Sequence, residues 1–319
     1  MRRAYAALDL GTNNCRMLIA RPDGDHFFII DAFSRIVRLG EGLAASGRLS
    51  KEAMDRAVSA LSICADKLER RKVFLARSVA TEACRRAKNG QEFTERVYRE
   101  TGIKIEIIAA EEEARLAVMG CHRLLEAGEG AALVFDIGGG STELVLIDTN
   151  GPEPKTLSWV SVPWGVVSLA ESAGIEPDTV DGRRAAYARM RKTVRESFGD
   201  FAAASGGPKC EHRLLGTSGT VTTLAGVHLG LPHYDRKAVD GLIVPTESMR
   251  KISADLASRS LADRAKLPCI GPERADLVVA GCAILDAILD IWPAQKVGVA
   301  DRGLREGILR QLIQLGKRS

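Results

Sequence analysis

The chain has 319 residues, 45% of them hydrophobic and 27% charged, with a formal net charge of +4. That balance excludes a disordered or fibrous protein. The charge is too small to mark a nucleic-acid binder, yet it leaves room for a local basic cleft facing an anion.

The length suits about two domains. Seven scattered cysteines without a C-x-x-C pair argue against a disulfide framework or a zinc site, and for a reducing compartment. The N-terminus runs straight into a strand, so no signal peptide is expected. The longest apolar segment, Leu277 to Trp292, contains Asp286 and Asp290 and reads as a buried helix, not a membrane span. A cytoplasmic location follows, with no membrane partner and no DNA or RNA.

In chain order, Ala4 to Leu10, Arg16 to Ala20 and Phe27 to Phe33 read as three consecutive strands. A helix is predicted over Lys51 to Arg70, capped by Ser50, with Met54, Val58, Leu61, Ala65 and Leu68 as its stripe. Val73 to Ala76 and Ile105 to Ile108 suit strands that each precede a helix. Glu111 to Leu125 follows as a helix, and Gly128-Glu129-Gly130 marks a connection. The predicted domains are therefore 1–124 and 125–319, with the last helix, about 302–319, packing back on the first.

The second part begins again with strands at Ala132 to Ile137, Glu143 to Asp148 and Thr156 to Pro163. One helix is predicted from Asp178 to Phe201. Its surface carries Arg183, Arg184, Arg189, Arg191, Lys192 and Arg195, which by itself reads as a solvated basic face. Arg213 to Leu215 is a strand before Gly216-Thr217-Ser218-Gly219, Lys296 to Ala300 another, and Arg302 to Leu315 a helix.

One internal repeat organises this order. LDLGTNNCRMLIA, from Leu8, aligns without gaps on FDIGGGSTELVLI, from Phe135, with a shift of 127 residues. Both copies read strand, Asp-x-Gly turn, strand. Glycines let the backbone approach an anion and aim successive N–H groups at it. Gly138, Gly139 and Gly140, with the Ser141 and Thr142 hydroxyls, are candidate phosphate binders. Gly11 with Thr12, Asn13 and Asn14 offers the same facility. Asp136 and Glu143 would repel phosphate, and a divalent cation resolves that conflict. They are candidate ligands for Mg²⁺ or Mn²⁺, and Asp9 is the first copy's counterpart. For one copy alone, a plain hairpin is the simpler reading; the second copy weighs against it.

Neither G-x-x-x-x-G-K-[ST] nor a helix-opening G-x-G-x-x-G is present. Gly216, Ser218 and Gly219 form a third glycine turn, where a helix start would favour an anion or merely be capped. Glu111-Glu112-Glu113 suits a first helical turn on dipole grounds alone, and Arg85 reads equally as a surface arginine beside Arg86 and Lys88.

LDLGTNN, VFDIGGGSTELVLI and LLGTSGTVTTLAG, in this order, resemble the actin-like/sugar-kinase/Hsp70 superfamily. SVATEACRRAKN, IEIIAAEEEARLAVMG, GPERADLVVAGCAIL and VADRGLREGIL narrow the resemblance to the exopolyphosphatase/guanosine pentaphosphate phosphatase (Ppx/GppA) family, over nearly the whole chain. The resemblance implies an α/β fold of two actin-like (ribonuclease H-like) domains with a central cleft. It implies hydrolysis of a terminal phosphoanhydride, with Glu113, or Glu112 one register away, as the base that activates water. Arg85 would hold the terminal phosphate, and Mg²⁺ or Mn²⁺ would be the cofactor. The expected substrate is inorganic polyphosphate, with pppGpp as the alternative and a non-catalytic sensor as a third reading. A homodimer is left open. Longer members continue into C-terminal helical domains that this sequence lacks, so shorter polyphosphates are the expected preference.

Overall fold

The computed structural model describes residues 3–24, 26–125, 128, 130–151, 154–205 and 213–318. Its contacts divide the chain into two units, Met1–Gly120 with Gly303–Ser319, and Cys121–Arg302. Glu129 of the expected connection lies outside the described residues.

In the first unit β1 (Ala4–Leu10), β2 (Asn14–Asp23) and β3 (His26–Ile36) form an antiparallel meander. The hairpin outruns its apolar segments because backbone pairing continues through polar residues at both ends. Strand β1 is central and buried on both faces, as its nearly unbroken apolar run requires. A short helix α1 (Leu43–Ser46) leads to α2 (Lys51–Arg70), whose first turn is capped by the Ser50 hydroxyl accepting from the Ala53 N–H at 3.2 Å. The buried face of α2 is built largely from Ala53, Ala57, Ala60, Leu61 and Cys64; small side chains let it lie close to the sheet, with Met54, Ala65 and Leu68 at the margin.

Strand β4 (Val73–Ala80) pairs parallel to β1, and α3 (Glu82–Arg86) and α4 (Gly90–Thr101) carry the chain to β5 (Ile105–Ile107), parallel to β4. The sheet order is β3-β2-β1-β4-β5. Helix α5 (Ala110–Cys121) stops short of Leu125, and a 3-10 turn, His122–Leu124, takes over.

The second unit repeats the plan. Strands β6 (Ala131–Ile137), β7 (Thr142–Asp148) and β8 (Lys155–Val162) form the meander. After α6 (Val166–Ala173), α7 (Val180–Ser197) and α8 (Gly199–Ala204), β9 (Arg213–Thr217) pairs parallel to β6. Helices α9 (Gly219–His228) and α10 (Arg236–Val239), strand β10 (Ile243–Pro245), then α11 (Thr246–Ser258), α12 (Leu261–Ala265) and α13 (Val278–Ile291) follow. Strand β11 (Lys296–Ala300) is parallel to β9, and β10 adds an antiparallel edge, giving β10-β11-β9-β6-β7-β8. The first unit's order therefore recurs as β8-β7-β6-β9-β11, so the short sequence repeat belongs to two whole sheets of one topology.

Helix α13 is apolar nearly all round and lies in the core; among the described residues no helix is long and apolar enough to cross a membrane. The single helix predicted over 178–201 is corrected to α7 and α8. The break falls at Phe198, whose buried ring packs edge-on to Trp292 at 5.9 Å between centroids, and Gly199 opens the next turn. The basic face of α7 is partly structural. Arg191 pairs with Asp290 at 2.5 Å and the Arg183 guanidinium donates to the Ser258 carbonyl, while Arg184, Arg189 and Arg195 are exposed. Helix α14 (Leu304–Arg318) returns to the first unit, packing Leu304, Ile308 and Leu312 in one cluster with Tyr5, Ala7 and Leu18.

Candidate active site

The two glycine turns close alike. The Gly11 N–H donates to the Asn14 carbonyl at 2.9 Å, and the Gly138 N–H to the Ser141 carbonyl at 3.0 Å. Their other carbonyls serve the protein. Asn13 O accepts from the Val37 and Arg38 N–H groups, and Thr12 O from Gly40. Gly138 O and Gly139 O accept from the Val166 and Val167 N–H groups at the start of α6, and Gly140 O from the Ser168 hydroxyl. A Cβ on Gly165 would lie 2.4 Å from the Gly139 carbonyl carbon, so only glycine allows that approach.

With the carbonyls committed, the N–H groups of Thr12, Asn13, Gly139 and Gly140 make no hydrogen bond among the described residues. Each turn is thus a surface of donors, which suits an anion. Thr12 Oγ1 and Asn13 Oδ1 are also buried without a partner. Orphaned polar atoms are rare enough in folded chains to need a reason, and a ligand supplies one.

Cross-strand register sorts the carboxylates. Asp136 stands directly opposite Glu143, and Glu143 opposite Ser161, so the three side chains share one face. Glu143 is 2% exposed, and its Oε1 accepts from the Ser141 and Ser161 hydroxyls, each at 2.7 Å. Directly opposed like charges destabilise a sheet, and a cation relieves them. Mg²⁺ keeps several waters and needs only one or two carboxylates. No group of three or more His, Cys, Asp or Glu side chains placed to hold a metal occurs among the described residues. The opposed pair therefore fits a hydrated divalent ion, not a closed cage. Asp9 differs, because its opposite neighbour is Arg16. Burial raises the Asp9 carboxyl, Arg305 and then Arg16 oppose that rise, and Glu306 adds to it.

The other candidates divide. The Thr142 hydroxyl donates to the Trp164 carbonyl at 2.7 Å and its side chain is fully buried, so it presents no donor at the turn. The Ser141 hydroxyl already serves Glu143. Asn14 opens β2 in register with Ile36. Gly216 has a packing reason, since a Cβ there would lie 2.5 Å from the Phe135 ring. Ser218 has φ 89°, which side-chain-bearing residues rarely adopt, and its Oγ is buried without a partner just before Gly219 opens α9. Strain joined to an orphaned hydroxyl makes Ser218 the stronger ligand signal of that turn.

Arg85 and Glu113 meet within the first unit. Arg85 Nη1 donates to Glu113 Oε2 at 2.8 Å and to the Ile108 carbonyl at 2.9 Å. Nε and Nη2 both donate to Glu82 Oε2, at 3.2 and 2.8 Å. Burial disfavours the Arg85 charge, but Glu113 and Glu82 more than offset it, and the net shift is upward. Glu112 faces elsewhere, to Arg115 at 2.8 Å and Arg77 at 3.0 Å. Glu82 escaped the sequence reading, although an acid three residues before Arg85 on one helix was a usable signal.

Two units of one α/β topology, each with a donor turn after its first strand, define a protein of the actin-like fold class. The chain belongs to the Ppx/GppA phosphatase family, whose profile matches residues 18–315. It is 31% identical over 309 residues to an Aeromonas salmonicida protein named guanosine-5'-triphosphate,3'-diphosphate pyrophosphatase, covering 97% of this chain and 59% of that one. The chain thus spans little more than half the length of that relative. A Haemophilus influenzae protein provisionally named an exopolyphosphatase is 30% identical, with 97% of this chain and 91% of that one covered. The solved Aquifex aeolicus PPX-GPPA enzyme superposes with a TM-score of 0.78 at 30% identity, covering 98% of this chain and 100% of the other.

Proposed function

We propose that the chain is an exopolyphosphatase that releases orthophosphate from the ends of inorganic polyphosphate. The observation that carries this reading is the donor-only turn of Gly139 and Gly140 beside the opposed Asp136 and Glu143. Backbone N–H groups hold phosphate oxygens and orient the chain end. Asp136 and Glu143 would hold a Mg²⁺ or Mn²⁺ ion, and Asp9 is the corresponding carboxylate of the first unit. When bound, such an ion would supply positive charge to offset that of the phosphate oxygens. Glu113 orients a water and takes its proton as the water oxygen bonds to the terminal phosphorus and the bridging oxygen leaves with the shortened chain. Arg85 holds the Glu113 carboxylate in place.

A second reading, removal of the 5'-terminal phosphate of pppGpp, is favoured by the name of the Aeromonas relative. The same groups serve it, because the broken bond is of the same kind. Phosphate release from polyphosphate, pppGpp and ATP, each with Mg²⁺, decides. Release from polyphosphate above that of the other two is expected. Turnover of pppGpp alone would replace the first reading with the second, and release no faster than in buffer without the protein would end both.

A further inference from the structure

The Arg85 guanidinium has five N–H groups. Four are committed, two to Glu82, one to Glu113 and one to the Ile108 carbonyl. A single N–H is left for a phosphate, so the fork that recognises phosphate bidentately is not free.

Helix α14 brings another cation to the same unit. Contacts at two levels fix its direction on the sheet. Near its C-terminal end, a Cβ on Gly316 would lie 2.1 Å from the Tyr5 hydroxyl. At mid-length Gln311 accepts from Arg77 at 2.7 Å, and Arg77 is in register with Ala7. The helix therefore runs antiparallel to β1. From Gly316 back to Arg305 it climbs about 16 Å, and from Tyr5 to Asp9 the strand rises about 13 Å. The first turn of α14 stands at the Asp9 end of β1, where the Gly11–Asn13 turn begins.

Arg305 lies in that first turn and is partly exposed. It makes no hydrogen bond or close ion pair among the described residues. Its charge still reaches Asp9, where it is the largest influence opposing burial. A separate observation comes from the turn itself. Thr12 is only 6% exposed, and its Oγ1 has no partner. The end of β1 thus combines an uncommitted guanidinium, free backbone donors and an orphaned hydroxyl.

We propose that Arg305 is the phosphate-binding cation of the first unit, holding non-bridging oxygens of a phosphate chain at the Gly11–Asn13 turn, while Arg85 serves Glu113. The proposal rests on the reading above for its choice of ligand. Arginine suits the role because its planar fork matches two phosphate oxygens, which lysine cannot do.

The test is calorimetric titration of inorganic tripolyphosphate into the full chain with Mg²⁺, using wild type, R305Q, R305K and, as a surface control, R184Q. R305Q is expected to bind about tenfold or more weakly, the scale for losing a charge-assisted hydrogen-bonding group. R305K should fall between R305Q and wild type, and R184Q should match wild type. In turnover, R305Q should raise KM more than it lowers kcat. A folded R305Q that binds like wild type overturns the proposal. If R305Q loses its thermal transition, an R305K affinity equal to wild type overturns it instead, as does a wild type that fails to bind tripolyphosphate. Binding without any phosphate release would sink the hydrolase reading and leave the role of Arg305 readable from the titration.

Discussion

Glu112 and Glu113 are sequence neighbours with opposite surroundings. One helical step turns a side chain by about 100°, enough to send Glu112 to Arg115 and Arg77 and Glu113 to Arg85. Hydrogen bonding from Arg115 holds the Glu112 carboxyl below its ordinary range, burial works against that, and Arg77 adds to the lowering. Glu112 is thereby committed to Arg115 and Arg77, and the base role stays with Glu113, as proposed. Glu113→Gln is therefore expected to lower phosphate release by about 10²–10⁴, the range for losing a general base, with tripolyphosphate affinity retained. Glu112→Gln should leave turnover near wild type. Loss of turnover in Glu112→Gln alone would move the base by one residue, and normal turnover in both would remove it from this helix. At this scale the acidic run and Arg85 were legible as residue types at a spacing. Which acid turns to Arg85 was not, because it depends on where α3 and α5 meet around Ile108. Arg305 stood in the VADRGLREGIL stretch without a phosphate-binding mark of its own, since its place at the Asp9 end of β1 comes from the packing of a helix nearly three hundred positions downstream.

Elements were read best where period and caps agreed, as in α2, whose Ser50 cap and length stood in the sequence. They were read worst where tertiary packing decided. Helix α7 stops at Ser197 because Phe198 turns into the core against Trp292, an event no local pattern announces. The hydroxyl of Thr142 looked like a phosphate donor until the loop after β8 brought the Trp164 carbonyl to it. The contact between β3 and α2 was hidden in the same way. Asp31 on β3 meets Lys67 of α2 at 2.6 Å and Arg71, just past the end of α2, at 2.8 Å. The Lys67 hydrogen bond leads in holding the Asp31 carboxyl down to about 2; burial opposes it, and Arg71 adds to the lowering. A depressed carboxyl stabilises the fold above its unfolded value of about 3.9 and loses that contribution as pH falls through the folded value. Asp31→Asn should cost about 1–2 kcal/mol at pH 7, reduced from the full shift because Arg71 is half exposed. Urea unfolding of both proteins at pH 7, 4 and 2.5 checks the sign. The gap should be full at pH 7 and shrink below pH 4. A gap that persists unchanged at pH 2.5 would show that the loss is packing, not charge.

Across the molecule the two sheets share an order, while their first hairpins differ in charge. The thirteen-residue repeat was visible in the sequence. The parallel pairing of β6 with β9, and of β9 with β11, was not, since it joins strands separated by long helical stretches. Register places Asp9 opposite Arg16, and the equivalent Asp136 opposite Glu143. The first hairpin sets its carboxylate opposite a cation, whereas the second sets two carboxylates face to face. The proposed divalent ion is therefore assigned to the second unit. Phosphate release should stop in EDTA and return with Mg²⁺ or Mn²⁺. The ion should also raise the melting temperature of the wild-type chain in a concentration-dependent way, because a ligand that binds only the folded state stabilises it by mass action. Asp136→Asn removes one charge of the opposed pair. That variant should start from a melting temperature at or above that of the metal-free wild type, because the repulsion is gone. It should also gain little further from metal. The two readouts move in opposite directions for a metal ligand and together for a residue that merely supports the fold. A variant that melts lower than metal-free wild type yet still gains the full metal shift would remove Asp136 from the metal site, and full activity after thorough chelation would remove the ion from the reaction.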